Sequence, residues 1–272
     1  MELVDLLAVT RVRTLTPRMR RVSFAAPAGF ETWPDQQLKL CFPRPGQPVP
    51  RLPVADGDDM RWYREFLAIP EDERPWMRSF TVRAHDPARA ELDIDFVLHG
   101  TAGPAARWAR TAEPGEVLGR YGPSTVYRQP LPTAASYVFA GDETALPAMG
   151  SLLESLPAGV SVQAFVEVHD PAEEQRLDSP AEVSLTWLHR SRGESLVPAV
   201  LAADLPATAH AWLAGEAGAV RSLRRHLVDD RGMAKRAIDF TGYWRASLTQ
   251  DDAPTDEDLA DANERVALAR QD

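Results

Sequence analysis

The chain is almost devoid of cysteine. Cys41 stands alone among 272 residues, which excludes an internal disulfide and any cage of thiolate ligands around a metal. No run of about 18 apolar residues occurs, the length that a membrane-spanning helix requires. The first ten residues, MELVDLLAVT, carry acids and lack the basic segment that opens a secretory signal. Together these absences lead us to expect a cytoplasmic protein without a membrane span. Also missing are GxGxxG, a GxxxxGK phosphate loop, internal repeats, low-complexity stretches, and any His/Asp/Glu cluster at metal-ligand spacing. Positive charge is short as well, with 30 Lys+Arg against 40 Asp+Glu and a net charge of −10. The deficit is uneven: residues 1–130 carry a net +1 and the remainder −11. An acidic surface cannot release the counterions of a polyphosphate, so nucleic acid is not an expected partner.

What is present describes a globular protein, with 44% hydrophobic and 26% charged residues. At this length the chain can form one large domain or two ordinary ones. The first half reads as six short strands separated by Pro/Gly-rich turns: LLAVTRVRTL, RMRRVSFA, QLKLCFP, RSFTVRAHD, ELDIDFVLHG and GEVLGRYG. That is the pattern of a small antiparallel barrel. ELDIDFVLH is the clearest, with Leu92, Ile94, Phe96 and Leu98 on one face and Asp93, Asp95, Val97 and His99 on the other. PAARWART reads as a helix with Pro104 in its first turn. Residues 43–75 are proline-rich and without a clear period, and read as a long excursion.

After RQPLPTA the period changes. SYVFAGDETALPAMGSLLESL is a strand, a turn and a helix; VSVQAFVEV, EVSLTWLHR and HAWLAGE are further apolar strands with helical segments between or after them. Strands alternating with helices imply a parallel sheet, whose ligands gather at the carboxyl ends of its strands. Residues 249–264 hold seven acids and read as a solvated tail entering a helix capped by Thr255. We therefore expect two domains, 1–130 as a six-stranded barrel and 134–272 as an α/β domain ending in an acidic helix. Composition and period reach a two-domain protein with a nucleotide site, and stop there.

The residues themselves go further. A barrel strand with R-x-F/Y-T/S-x-R, followed by a nucleotide domain with A-G-x-x-T-x-x-P, resembles the ferredoxin-reductase superfamily of flavoproteins. Within it the chain is similar to the siderophore-interacting proteins, FAD-dependent reductases of ferric siderophores. KLCFP (39–43), RPWMRSFTVRAHD (74–86), DIDFVLHGTAGPAARWA (93–109), AGDETALPA (140–148), AGE (214–216) and GYWR (242–245) appear in the family's order and span nearly the whole chain.

The resemblance implies two cofactors, FAD and either NADPH or NADH, with a ferric siderophore as substrate and no protein-held metal. By it Arg78 meets the FAD pyrophosphate, a guanidinium fork being matched to phosphate. Ser79 lies beside it, Phe80 lies against the flavin where the family more often has tyrosine, and Thr81 bonds the flavin near N5. Arg83 is either a further contact or a solvated strand residue. His99 is a flavin contact, and Thr81 and His99 are the candidate catalytic residues. Gly103, Ala105 and Ala106 resemble the loop and helix start that offer N–H groups to the pyrophosphate, although the family often has serine at the place of Ala106. Gly141, Asp142, Glu143 and Thr144 look like the nicotinamide-nucleotide turn, Gly215 and Glu216 the second turn, and Tyr243 or Trp244 an aromatic near flavin or nicotinamide. Lys39, Arg44 and Arg51 are the candidate contacts to an anionic ferric complex. Glu167 favours NADH whereas Arg190 and Arg192 favour NADPH, leaving that choice open. The expected protein is a monomeric ferric-siderophore reductase. A reductase serving another acceptor (ferredoxin, haem or an oxygenase) and a non-catalytic siderophore binder are the alternatives.

Overall fold

The computed structural model describes residues 4–54, 59–98, 103–122, 130–248 and 252–269. The chain packs into two compact units. Met1–Thr133 forms the first together with Leu146–Gly159 and Val168–Glu182; Ala134–Ala145, Val160–Glu167 and Val183–Asp272 form the second.

The first unit is built on seven antiparallel strands: β1 (Val4–Thr16), β2 (Met19–Ala25), β3 (Gln37–Phe42), β4 (Trp76–Thr81), β5 (Ala84–Asp86), β6 (Glu91–Val97) and β7 (Val117–Tyr121). Their order is β4-β3-β7-β1-β2-β6-β5. The two edge strands, β4 and β5, are therefore neighbours in the chain, joined only by Val82 and Arg83. A sheet whose opposite edges are two residues apart has to curl back on itself. The joining residues complete the curl, Val82 N–H donating to Gln36 O and Arg83 N–H to Asp93 O, each at 2.8 Å. The run RSFTVRAHD is thus two strands around a corner, which makes seven where six were expected. Inside the curl lie Leu7, Phe24, Leu40, Ile94, Phe96 and Leu118. Leu92, Ile94 and Phe96 point inward as their alternation requires, while Asp95 on the other face receives Arg21 at 2.6 Å.

Two helices dress this sheet. Helix α1 (Asp59–Ala68) lies within the proline-rich excursion, and Trp62, Phe66 and the following Ile69 bury a second, smaller core with Val4 and Cys41. The 62–66–69 spacing is helical, but prolines on both sides hide it. Helix α2 (Pro104–Thr111) starts at the expected proline and buries Ala106 and Ala109. Helix α3 (Leu146–Ser155) packs with this unit as well.

The second unit carries a five-stranded sheet, from β8 (Ser136–Asp142), β9 (Ser161–Val168), β10 (Glu182–His189), β11 (His210–Glu216) and β12 (Ile238–Trp244). The order is β10-β9-β8-β11-β12, with β9, β8, β11 and β12 paired in parallel. Chain order reverses between β8 and β11, and that switch point opens a crevice at the carboxyl ends of the two strands. Helix α4 (Leu196–Ala202) and helix α5 (Ala217–Arg225) belong here, Val220 and Leu223 of α5 being buried as their spacing requires. Helix α6 (Asp256–Ala269) ends the described chain. Among the described residues no helix is long and apolar enough to cross a membrane.

Candidate functional site

Strand β4 keeps strict alternation. Trp76, Arg78 and Phe80 stand opposite Phe42, Leu40 and Leu38 of the inner face, whereas Met77, Ser79 and Thr81 stand opposite Cys41, Lys39 and Gln37 of the outer face. Arg78 and Phe80 therefore share one side, and Thr81 the other. Phe80 is half-buried, with its ring 4.5 Å from that of Phe96 and 6.1 Å from that of Phe42. Thr81 is buried. Arg78 is half-buried and donates to the carbonyl of Met77 at 2.9 Å.

Trp76, one inward position before Arg78, is a residue that the motif reading passed over. Its ring carries Arg44 at 4.2 Å and Arg107, from α2, at 5.4 Å. Cations over an indole face are attracted by its quadrupole, so Trp76 gathers positive charge at the strand that bears Arg78. Its signal was the R-P-W-M-R spacing itself, an aromatic two residues from an arginine on one strand face.

The start of α2 adds backbone donors. Gly103 caps it in an extended conformation, without a side-chain acceptor and without an acidic residue in the first turn. A Cβ built at Gly103 would meet nothing within 4 Å. Uncapped N–H groups with open space above them suit an anion. Ala105 and Ala106 sit in this first turn, and Trp108 packs inward on Phe96 and Phe42 at 5.4 and 5.6 Å. A flat aromatic ligand carrying a pyrophosphate fits this chemistry: guanidiniums, an uncapped helix start and an aromatic strand face. His99 lies outside the described residues.

The remaining barrel candidates scatter. Lys39 stands on the outer row with Ser79, where desolvation by its surroundings holds its pKa below the ordinary lysine value. Arg51 is ion-paired with Glu73, and Arg44 also donates to Arg74 O at 2.6 Å. Arg83 reaches Glu154 of α3 with both terminal nitrogens, at 3.0 and 2.5 Å. Its guanidinium lies against Gly150, where a Cβ would come within 3.0 Å of Nε. This explains a glycine inside a helix, a position that otherwise costs about 1 kcal/mol.

The crevice of the second unit brings its candidates together. A Cβ at Gly141 would fall 2.6 Å from the Ala145 side chain and 2.7 Å from Ala214 O, so only glycine lets β8 pass β11 here. Asp142 is buried and accepts from Thr144, Glu216 and Trp244. Burial pushes its carboxyl up to about 6, despite these hydrogen bonds. Glu216 caps α5 by accepting from Ala219 N–H at 2.8 Å. Tyr243 is half-buried and Trp244 is 37% exposed. Glu143 is ion-paired with Arg190, which also meets Glu167 at 3.1 Å. Burial opposes the Arg190 charge, but the two carboxylates outweigh it and raise the pKa. The second oxygen of Glu167 accepts from Leu196 N–H, at the start of α4. Sequence spacing had set Glu167 and Arg190 against each other; the fold joins them.

The sequence profile of the siderophore-interacting FAD-binding domain matches residues 8–127, and that of the siderophore-interacting protein matches residues 134–247. The chain belongs to the siderophore-interacting protein family. One relative is the ferric vibriobactin reductase of Vibrio cholerae, 30% identical over 90% of this chain and 91% of that protein. Among solved structures, a siderophore utilization protein from T. fusca is 38% identical, with a TM-score of 0.77 over 92% of this chain and 95% of its own. The ferredoxin reductase in carbazole 1,9a-dioxygenase shares the fold alone, at 17% identity and a TM-score of 0.61 over 89% of this chain and 70% of its own. The expected family, the two-domain fold and the FAD-binding domain are thereby established. The first unit thus holds the curled sheet of the FAD-binding domain, and the second a parallel sheet.

Proposed function

We propose that the protein is a cytoplasmic, NAD(P)H-dependent, FAD-containing reductase that releases iron as Fe(II) from ferric siderophores, working as a monomer. The observation that carries this reading is the chemistry of β4 and its surroundings, where Arg78, Trp76, Arg44 and Arg107 gather beside an uncapped helix within an FAD-binding domain. FAD accepts two electrons from a nicotinamide and gives them up one at a time, which suits Fe(III).

The chain's own residues bind and orient. Arg78 and the N–H groups after Gly103, at Ala105 and Ala106, hold the pyrophosphate. Phe80, propped by Phe96, offers its remaining ring surface to the flavin. Ser79 and Thr81, whose side chains lie on the other row of β4, meet the flavin edge through their backbone at this edge strand, and His99 supplies a further contact. Gly141, Glu143, Thr144, Gly215 and Glu216 shape the nucleotide crevice, with Tyr243 and Trp244 as its aromatic wall. Lys39, on the outer row beside Ser79, meets the anionic ferric complex, with Arg44 and Arg51 farther out. The hard oxygen donors of a siderophore hold Fe(III) themselves, and reduction weakens that hold without a protein ligand. Arg83, already paired with Glu154, takes no part in the cradle.

The purified protein should carry a flavin absorbance that NADH or NADPH bleaches without oxygen and a ferric siderophore restores. Lys39→Ala should raise KM for the ferric substrate about tenfold, the loss of one charge-assisted contact, while dye-coupled NAD(P)H oxidation stays within about twofold of wild type. Equal loss of both activities would remove Lys39 from the substrate site. A flavin that no pyridine nucleotide bleaches would refute the reductase reading, and one that ferric siderophores fail to reoxidise would assign the enzyme another acceptor.

A further inference from the structure

Asp142 ends β8 at the crevice, in the turn that the functional reading above gives to the pyridine nucleotide. Its two oxygens are fully engaged. Oδ1 accepts from the backbone N–H of Thr144 at 2.8 Å and from the Thr144 hydroxyl at 2.5 Å. Oδ2 accepts from Glu216 N–H at 2.9 Å and from the Trp244 indole N–H at 2.8 Å. A carboxylate offers about four acceptor sites, and these bonds fill them. Asp142 is also buried. A group in this state has no acceptor left to present to a ligand.

The donors come from three places: the turn after β8, the start of α5 and the end of β12. The backbone is shaped around the carboxylate. Gly215 has φ +133°, and a Cβ there would lie 2.6 Å from Asp142 Oδ2. Only a residue without a side chain can bring β11 past Asp142 and deliver the Glu216 N–H. At the other donor, Trp244 is anchored by its N–H while part of its ring stays exposed. An indole held by one edge is a fixed flat surface, which an untethered tryptophan at the end of a strand is not.

We propose that Asp142 is a positioning residue of the nucleotide crevice, which makes no contact with the pyridine nucleotide but fixes the Trp244 ring and the start of α5 in the places from which they meet it. This rests on the functional reading above for the identity of the ligand, though not for the tie itself. The ligand class is a pyridine nucleotide, whose flat ring matches a fixed indole face. Loss of the tie should therefore weaken nucleotide binding while leaving FAD retention intact, because every group involved lies in the second unit.

The test uses the full chain with 15N-labelled tryptophan. Seven indole N–H signals are expected from seven tryptophans, and Trp244→Phe identifies that of Trp244. In Asp142→Ala that signal should move upfield and exchange faster with water; Asp142→Asn, which keeps the volume but faces an N–H donor with its own NH2, should fall between. In steady state, Asp142→Ala and Trp244→Phe should each raise KM for the nucleotide about tenfold, with kcat changed far less and FAD content unchanged. The double variant should also show about tenfold, not a hundredfold, because the second substitution cuts a tie already cut. Multiplying effects, or an unmoved Trp244 signal in both Asp142 variants, would overturn the proposal.

If neither variant folds, the wild-type signal decides by its response to pH. With Asp142 titrating at about 6, the Trp244 signal should move between pH 5 and 7. The charged groups along this crevice are Glu143, Glu167, Arg190, Glu216 and Arg245. A flat response overturns the assignment. A wild-type flavin untouched by NADH and NADPH refutes the functional reading instead, and leaves the indole signal to judge the tie.

Discussion

Arg78 and Arg83 bracket one short stretch, RSFTVR, and the fold gives them different work. Arg78 stands on the inner row of β4, two residues from Trp76 and its paired guanidiniums. Arg83 lies past the corner, bound to Glu154 and flat against Gly150. Substituting each by alanine should separate the roles. Arg78→Ala should weaken FAD retention by about ten- to a hundredfold, the worth of a charge-assisted hydrogen bond. Arg83→Ala should retain FAD and lose only the ion pair and its packing. With Glu154 partly exposed, that loss is about 1 kcal/mol, or about 2–4 °C in the thermal midpoint for a chain of this size. Flavin content after gel filtration and a melting curve read both outcomes. Arg83→Ala protein that emerges colourless would return Arg83 to the cofactor cradle.

At the scale of elements, most of the fold was legible because period and burial agree. ELDIDFVLH and HAWLAGE are strands whose buried faces can be read directly, and PAARWART starts its helix at the proline that fits only there. The corner at Val82–Arg83 was hidden, since both sides of it share one alternation and only backbone bonds to Gln36 and Asp93 mark the turn. Helix α1 was hidden by its prolines. In the candidate site, the motif residues were legible as types, but their partners were not. Nothing in the spacing of Asp142 and Trp244, 102 residues apart, or of Glu143 and Arg190, announces contact. The acidic segment is another case. Thr255 does cap α6, in a reciprocal box with Asp258 at 3.2 and 2.9 Å. Yet its acids are not merely solvated: Arg221 meets Asp258 and Asp261, Arg224 meets Glu264, and Arg245 meets Asp258, at 2.7–3.3 Å. Leu259 is exposed, and among the described side chains of this helix the ion pairs are its ties to α5 and to the end of β12. Raising the salt from about 0.05 to 1 M, where the screening length falls to about 3 Å, should speed amide exchange in 256–269 well before β12 responds. Exchange that is independent of salt would show that apolar packing holds α6 instead.

Across the whole molecule, the uneven charge bears on which nicotinamide the enzyme takes. The second half carries all of the excess negative charge, and four of its acids lie at the crevice: Asp142, Glu143, Glu167 and Glu216. The cation that could have welcomed a 2′-phosphate, Arg190, is instead shared between Glu143 and Glu167. Glu167 in turn is tied to the start of α4. A 2′-phosphate brought to the end of β9 would meet a neutralised arginine and two carboxylates, whereas a ribose hydroxyl adds no charge and can donate to either acid. NADH should therefore be preferred over NADPH, by at least tenfold in kcat/KM if one close like-charge contact costs about 1.4 kcal/mol. Glu143→Gln should narrow that preference, because it returns part of the Arg190 charge to the crevice and so favours the 2′-phosphate of NADPH over the ribose hydroxyl of NADH. Rates with both nucleotides, measured for the two proteins at low and high salt, test the argument. A wild-type preference for NADPH would mean that Arg190 leaves its carboxylates when the nucleotide binds, and that the charge of the free crevice does not set the choice.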